Sequence, residues 1–492
     1  MIKPKKVFQK SLSEIAQYLN LEANFDLKIN GISSNSAELE AGDLFVALSG
    51  AHTHGAKFIE SALQAGAAAI LTDAEGAEIT NQKLPTLMIE NPRKILGDLS
   101  SWFYGTPRNS LDIYGVTGTN GKTTIAHLLN QIWKFEGRDS GVIGTLGVEF
   151  QGTKFDTRFT TPEADQLQKM FARAKELNLR NVVMEVSSIA LEMNRLTGTK
   201  FQCVAFTNLT QDHLDFHGTM ENYKLAKFKL FTLDYADFAI VNIDDSAGAE
   251  LFNQAQIPME SVSRKNERAD WYLQSGVSSH GRIAITIRGL GGILIEAETT
   301  LIAEHNLDNL LIAVAMAAKS GVDPVSIAQI IPQLTGAPGR LEQIPNSKNI
   351  LAIVDYAHTP DAVARVLKAI KSQNRKVIGV LGCGGDRDKS KRPLMGEALV
   401  EGSDISIFTS DNPRSENPES IINEMLGAIE LGETRLKIVD RREAIATAVT
   451  IAEPGDCLII LGKGHEIGQE IAGVKLPFDD REELRLAIEN LK

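Results

Sequence analysis

The segment "GVTGTNGKTT", Gly115 to Thr124, carries the residue types that bind a polyphosphate. Glycines let backbone amides turn inward on phosphate oxygens. Lys122 would reach the terminal phosphates and Thr123 would hold Mg²⁺, while a helix opening at Lys122 adds its partial positive charge. The strict phosphate-loop pattern needs glycine at 116; Val116 stands there, with Gly115 one residue early. The bland alternative, a strand-to-helix turn with an incidental "GKTT", leaves the other features unexplained. ATP is the expected ligand.

Three further groups could serve such a loop. Glu185 ends "VVMEVSS". A strand-end carboxylate is ordinarily just solvated, but beside a phosphate loop it suits Mg²⁺, which takes one or two carboxylates plus phosphate oxygens. "TNLTQDHLDFHG" places His213 and His217 past another apolar run, and either is as readily structural as functional. Lys227, in "NYKLAKFKLF", reads by spacing alone as a surface lysine. Farther on, "TSDNPRSENP" puts Asp411, Asn412 and Arg414 behind the apolar run "DISIFTS". A guanidinium held at a strand end awaits an anion.

The elements that position these groups alternate regularly. "LDIYGVTG", "NVVMEVSS", "FQCVAFTNL" and "FAIVNID" read as buried strands separated by helices, and "ILAIVDYAH", "KVIGVLGCGG", "DISIFTS" and "CLIILGKG" repeat the pattern. Val/Ile-rich strands alternating with helices predict α/β domains with parallel sheets covered on both faces. Polar loops then fall at the carboxyl ends of strands, where open α/β sheets bind ligands. Pro/Gly-rich stretches near Tyr104 to Ser110 and Leu334 to Ile344 suggest three domains, 1–106, 107–336 and 337–492.

Composition agrees. With 492 residues, 43% of them hydrophobic, the chain is too long for one core. A formal net charge of -12 argues against a nucleic-acid partner. The basic start lacks a signal peptide's apolar core, and no apolar run spans a bilayer. Cys203, Cys383 and Cys457 lack paired spacing and read as reduced thiols, so a cytoplasmic protein is expected.

Seven segments in one order resemble the Mur ligases, and among them the enzymes that add the third residue of the muramoyl peptide. They are "TGTNGKTT", "EVSS", "TNLTQDHLDFHGTMENYKLAK", "VDYAHTPDA", "GCGGDRDKSKRPLMG", "DNPRSENP" and "GKGHE". The resemblance covers nearly the whole chain. It implies a central P-loop-type doubly wound sheet, a C-terminal Rossmann-like α/β domain that binds the added amino acid, and a smaller N-terminal α/β UDP-binding domain. It also implies an ATP-driven peptide bond formed through an acyl phosphate; a monomer is expected.

By the same resemblance, Gly118, Thr119, Asn120, Gly121, Lys122, Thr123 and Thr124 hold ATP, with Asn309, Arg340, Asp355 and His358 contacting the nucleotide. Thr123, Glu185 and His213 serve Mg²⁺, and Lys227 matches the lysine that becomes carbamylated. Ser36, Thr160, Thr161, Ser187 and Arg195 match contacts to the UDP-muramoyl-dipeptide. Arg387, Asp411, Asn412, Arg414, Gly462 and Glu466 match the amino-acid site. A lysine side chain would leave Arg414 unpaired, whereas the distal carboxylate of meso-diaminopimelate satisfies it. The chain departs from the family at Asn35 and Ala37, where acid and arginine are usual, at Phe159 for asparagine, and at Ile189 for histidine. An L-lysine-adding enzyme is the nearest rival. A folylpolyglutamate synthetase ranks behind it, as does a nucleotide-binding homologue without turnover.

Overall fold

The structure, a computed structural model, describes every residue except 1, 23–24, 51–52, 82, 107–110, 280–281, 372–374 and 492. The first expected domain boundary, at 106/107, falls at residues outside that description. The chain divides into two compact units: Met1–Gln274 with Thr286–Glu296 and Asp308–Ile331, and Ser275–Ile285 with Ala297–Leu307 and Pro332–Lys492.

Among the described residues the first unit carries two larger sheets beside the two-stranded pairing of Lys10–Ser11 with Lys28–Ile29. Strands Gly31–Ser33, Asp43–Val46, Ala69–Thr72 and Thr86–Met88 pair in sequence order, all parallel. Leu44, Val46, Ala69 and Leu71 pack on Leu96, Leu99 and Phe103 of the helix Pro92–Tyr104. That helix starts where the Asn91 side chain accepts the Lys94 amide and Pro92 pre-sets φ. It stops at Gly105, which is left-handed.

In the larger sheet, Ser140–Gly144, Asn181–Glu185, Asp112–Thr117, Cys203–Phe206, Ala239–Asn242 and Met259–Ser263 lie side by side in parallel. The chain leaves Asp112–Thr117 toward one edge and Cys203–Phe206 toward the other. Connections diverge at those adjacent strands, so their carboxyl ends open a crevice. One edge differs from the all-parallel expectation. A two-residue connection after Gly144 returns the chain as the antiparallel strands Gly147–Phe150 and Thr153–Phe155.

The second unit holds a sheet in which Leu351–Asp355, Cys457–Leu461, Val377–Cys383, Ile405–Ser410 and Arg435–Lys437 run parallel in that order, with Glu342–Gln343 antiparallel at the edge beside Leu351–Asp355. Leu351 and Ile353 enter one core and Ala352 and Val354 the other, as alternation along a doubly covered strand requires. Helices Pro360–Lys371 and Lys391–Gly402 supply the first core. Helices Arg441–Ile451 and Asp480–Glu489 supply the second. Parallel direction puts the loops after Asp355, Cys383, Ser410 and Leu461 at one end of the sheet. Among the described residues no helix is long and apolar enough to cross a membrane. The cysteines Cys203, Cys383 and Cys457 are free and buried.

Candidate active site

In the first unit the loop after Asp112–Thr117 lies against the loop after its neighbour Cys203–Phe206. Thr119 donates its amide to the Asn208 carbonyl (2.9 Å), and Asn120 donates its amide to Asn208 Oδ1 (2.9 Å). Thr207 Oγ1 donates to the Asn120 carbonyl at 2.6 Å. Gly118 has φ +145°, and a Cβ there would collide with Thr207 Oγ1, so only glycine fits. Gly121 meets Asn309 Oδ1 in the same way, which brings the expected adenine-side asparagine to the loop. Thr123 and Thr124 sit in the first turn of the helix Lys122–Phe135, both buried.

Two ammonium groups share one acceptor. Lys122 Nζ donates to the carbonyls of Gly118 (3.0 Å) and Thr119 (2.9 Å), and Lys227 Nζ donates to Gly118 at 2.9 Å. Lys227 is 1% exposed, not the surface lysine its spacing suggests, and lies over the Tyr223 ring. Burial, reinforced by the charge of Lys122 and opposed by Asp212, lowers the Lys227 amine to about 6.

Glu185 is 1% exposed and accepts three hydrogen bonds. They come from Thr123 Oγ1 (3.0 Å), the Thr145 amide (2.8 Å) and Thr145 Oγ1 (3.1 Å). Hydroxyl and carboxylate oxygens together are the hard donor set that suits Mg²⁺. His213 has its ring centroid 6.1 Å from that of Tyr223, the ring beneath Lys227. It is left-handed (φ +51°), its side chain is 45% exposed, and Asp212 lies 3.7 Å away. Among the described residues no three His, Cys, Asp or Glu side chains gather as a metal centre. His217 is instead buried and shares a 2.9 Å hydrogen bond with Ser188, beside the departure Ile189.

The segment 159–161 joins this region. Thr160 Oγ1 meets Thr145 Oγ1 at 3.1 Å, and Thr161 Oγ1 donates to the Glu185 carbonyl at 3.0 Å. Ser187 donates its amide to Thr161 Oγ1 (3.0 Å) and caps the helix Ser188–Glu192. Arg195 donates to the Thr161 carbonyl (3.1 Å), pairs with Glu163 (3.0 Å) and lies 4.3 Å above the Phe159 ring. Arg93 takes the other Glu163 oxygen at 3.1 Å. Ser36 lies apart, on the turn Ser36–Glu38, where Asn35 Oδ1 accepts the Ala37 amide. Ser34 ties that turn to Asp165 at 2.8 Å.

In the second unit the four strand-end loops carry a second constellation. A Cβ on Gly384 would meet Arg414 NH1 at 3.1 Å and Arg387 Cγ at 3.7 Å, so both guanidinium side chains flank that glycine. Arg414 is left-handed (φ +52°), and its backbone is stitched to the Gly468–Ile471 strand and the turn after it by bonds to Glu470 (2.9 Å) and Ala472 (2.7 Å). Asn412 donates to Glu466 Oε2 at 2.8 Å. Lys463, absent from the expected set although "GKGHE" contains it, is 0% exposed among Asp411, Asn412 and Glu466. Gly462 has φ +111°, and a Cβ there would press within 2.7 Å of Asp411 Oδ2.

Nearby, Asp355 is buried and accepts the amides of Leu341 (2.7 Å) and Ala357 (2.8 Å). Burial raises its carboxyl against those two bonds and the charges of Arg340 and His358. Arg340 lies 4.7 Å over Tyr356, whose carbonyl is 2.8 Å from His358 Nδ1.

Family models match three stretches: "Mur ligase family, catalytic domain" over residues 28–104, "Mur ligase middle domain" over 116–317, and "Mur ligase, glutamate ligase domain" over 339–464. The chain is 41% identical to the UDP-N-acetylmuramoyl-L-alanyl-D-glutamate--2,6-diaminopimelate ligase of Streptomyces coelicolor, over 99% of this chain and 98% of that one. It is 40% identical to the protein of the same name from Streptomyces avermitilis, over 99% and 98%. A solved structure under that name superposes with a TM-score of 0.72 at 34% identity, covering 98% of this chain and 99% of the other.

Proposed function

We infer that this chain, which belongs to the Mur ligase family, is an ATP-dependent ligase joining meso-diaminopimelate to UDP-N-acetylmuramoyl-L-alanyl-D-glutamate, a step of peptidoglycan precursor synthesis. The observation that carries the substrate choice is the pair Arg387 and Arg414 flanking Gly384, with Asp411 and Glu466 on neighbouring loops. Paired cations and carboxylates match a zwitterionic amino-acid head.

The reaction runs in two transfers. A substrate carboxylate oxygen bonds the γ-phosphorus of ATP as the β–γ bridging bond breaks, giving an acyl phosphate and ADP. The free amine of diaminopimelate then bonds the acyl carbon, phosphate leaves with the C–O electron pair, and the amine's proton passes to solvent. Lys122 and the amides of 121–124, at the start of its helix, offset charge developing on the transferred phosphoryl group. Asn309, Arg340, Asp355 and His358 are assigned to the nucleotide. Arg195, with Thr160, Thr161 and Ser187, is assigned to the muramoyl dipeptide, and Ser36 to its uridine end.

Thr123 and Glu185 would hold Mg²⁺, with His213 and a carbamylated Lys227. Mg²⁺ bound there supplies charge neutralisation on the phosphates. The neutral amine of Lys227 is fit to bond the carbon of CO₂, with one C=O pair moving to oxygen and one amine proton lost to solvent. The resulting anion sets a negative charge next to Lys122 where a neutral amine stood. The division 1–106, 107–336 and 337–492 assigns UDP-sugar, ATP and amino-acid binding in that order, and these substrates suit a cytoplasmic location.

The test is co-substrate dependence. Phosphate release and a tripeptide product of the expected mass should require ATP, the UDP-muramoyl-dipeptide and diaminopimelate together. Nucleotide binding without release in the full mixture would favour the reading without turnover.

A further inference from the structure

Lys463 is fully buried at the meeting of two strand-end loops. Its ammonium lies 3.0 Å from Asn412 Oδ1, 3.3 Å from Glu466 Oε2 and 3.5 Å from Asp411 Oδ1. Three donors thus meet three acceptors. Asn412 Oδ1 also takes the Glu470 amide at 3.0 Å, which fixes the amide's orientation and turns Nδ2 onto Glu466 Oε2.

Only one oxygen of each carboxylate is used in this way. Among the described residues nothing donates to Asp411 Oδ2 or Glu466 Oε1. Two carboxylates and one ammonium leave the cluster one positive charge short. Arg387 and Arg414, around Gly384, supply the opposite sign in the same unit.

We propose that Lys463 is a positioning residue for the diamino acid: it holds Asp411, Asn412 and Glu466 so that the unused oxygens of the two carboxylates receive the substrate's distal ammonium. This rests on the ligase reading above and adds what sets the geometry of its amino-acid site. Lys463 touches no substrate; it acts through the two carboxylates. Without it, two carboxylates on separate loops lose their common cation and the register between them.

The experiment compares meso-diaminopimelate with 2-aminopimelate, which keeps both carboxylates and lacks the distal ammonium. Wild-type enzyme should prefer diaminopimelate in kcat/KM by roughly 100-fold. In Lys463→Met and Lys463→Gln that preference should shrink by about tenfold or more through KM for diaminopimelate, with KM for ATP unchanged. A wild-type enzyme indifferent to the distal ammonium would overturn the proposal without any variant. So would an undiminished preference in either variant. Failure of the ligase reading looks different, since wild-type enzyme would then turn over neither compound.

Discussion

Lys122 and Lys227 place their ammonium nitrogens on one carbonyl oxygen, that of Gly118, at 3.0 and 2.9 Å. Burial alone makes a charged Lys227 costly, and the like charge of Lys122 adds to that cost. Lys227 yields, falling from 10.5 to about 6. Between those values the unfolded chain binds the extra proton, so this group's contribution to stability rises with pH across that window and is flat below it. The folded amine is neutral, and nucleophilic, above about pH 6. With ¹³C-bicarbonate at pH 8, a carbamate carbon signal should appear by NMR, vanish in Lys227→Met and fade as pH falls through 6. No such signal at pH 8 in wild-type protein would remove the carbamate from the account.

Glu185 lies behind Thr123 with three donors already on its oxygens. Glu185→Gln keeps shape and removes charge. Turnover should fall by about 100-fold or more while ADP binding without divalent cation stays within about twofold. Unaltered kcat would exclude Glu185 from metal and phosphoryl chemistry.

Phe159 replaces the family's usual asparagine and carries the Arg195 guanidinium 4.3 Å above its ring. Glu163, on the same arginine, is shared with Arg93. Phe159→Ala should raise KM for the UDP-muramoyl-dipeptide roughly threefold to tenfold, the scale of a cation–π contact, and leave kcat and KM for ATP alone. A change in kcat alone would place Phe159 outside substrate binding.

Arg441 and Asp480 form a fully buried pair at 2.7 Å. The same guanidinium bonds the carbonyls of Ser410 and Leu461, the last residues of the strands that lead into Asp411 and Gly462. Asp480→Asn strands the cation and should cost about 3–5 kcal/mol in chemical denaturation. KM for diaminopimelate should rise in whatever folded protein remains. Wild-type stability would mean the pair is dispensable.

Much of this was legible before any coordinates. Each apolar run that stops at a polar cluster is a parallel strand delivering its loop to one end of a sheet, so Glu185 ends such a strand, Arg387 and Asn412 fall on the loops beyond two others, and Thr123 lies in the first helical turn past a fourth. Pairing was not legible. Arg441 and Asp480 are 39 positions apart, and nothing in either local sequence marks the partner. Lys227 looks exposed because "NYKLAKFKLF" has no clean periodicity; its burial comes from the phosphate loop folding over it. His213 and His217 are alike in sequence, yet only His217 is buried, because it packs on Ser188. Arg195, matched by resemblance to the muramoyl dipeptide, already has an anion, Glu163, beside it. The hairpin Gly468–Ile471 with Val474–Pro477, which stitches Arg414 in place, carries no motif at all.

The most direct test of the ligase assignment is ATP-dependent phosphate release with UDP-N-acetylmuramoyl-L-alanyl-D-glutamate, offering meso-diaminopimelate and L-lysine separately to wild-type protein and Arg414→Ala. The assignment of Arg414 to the distal carboxylate predicts wild-type turnover with diaminopimelate only. It also predicts that Arg414→Ala raises KM for diaminopimelate by roughly 100-fold with KM for ATP unchanged. Turnover with lysine, or an equal rise in both constants, would contradict it.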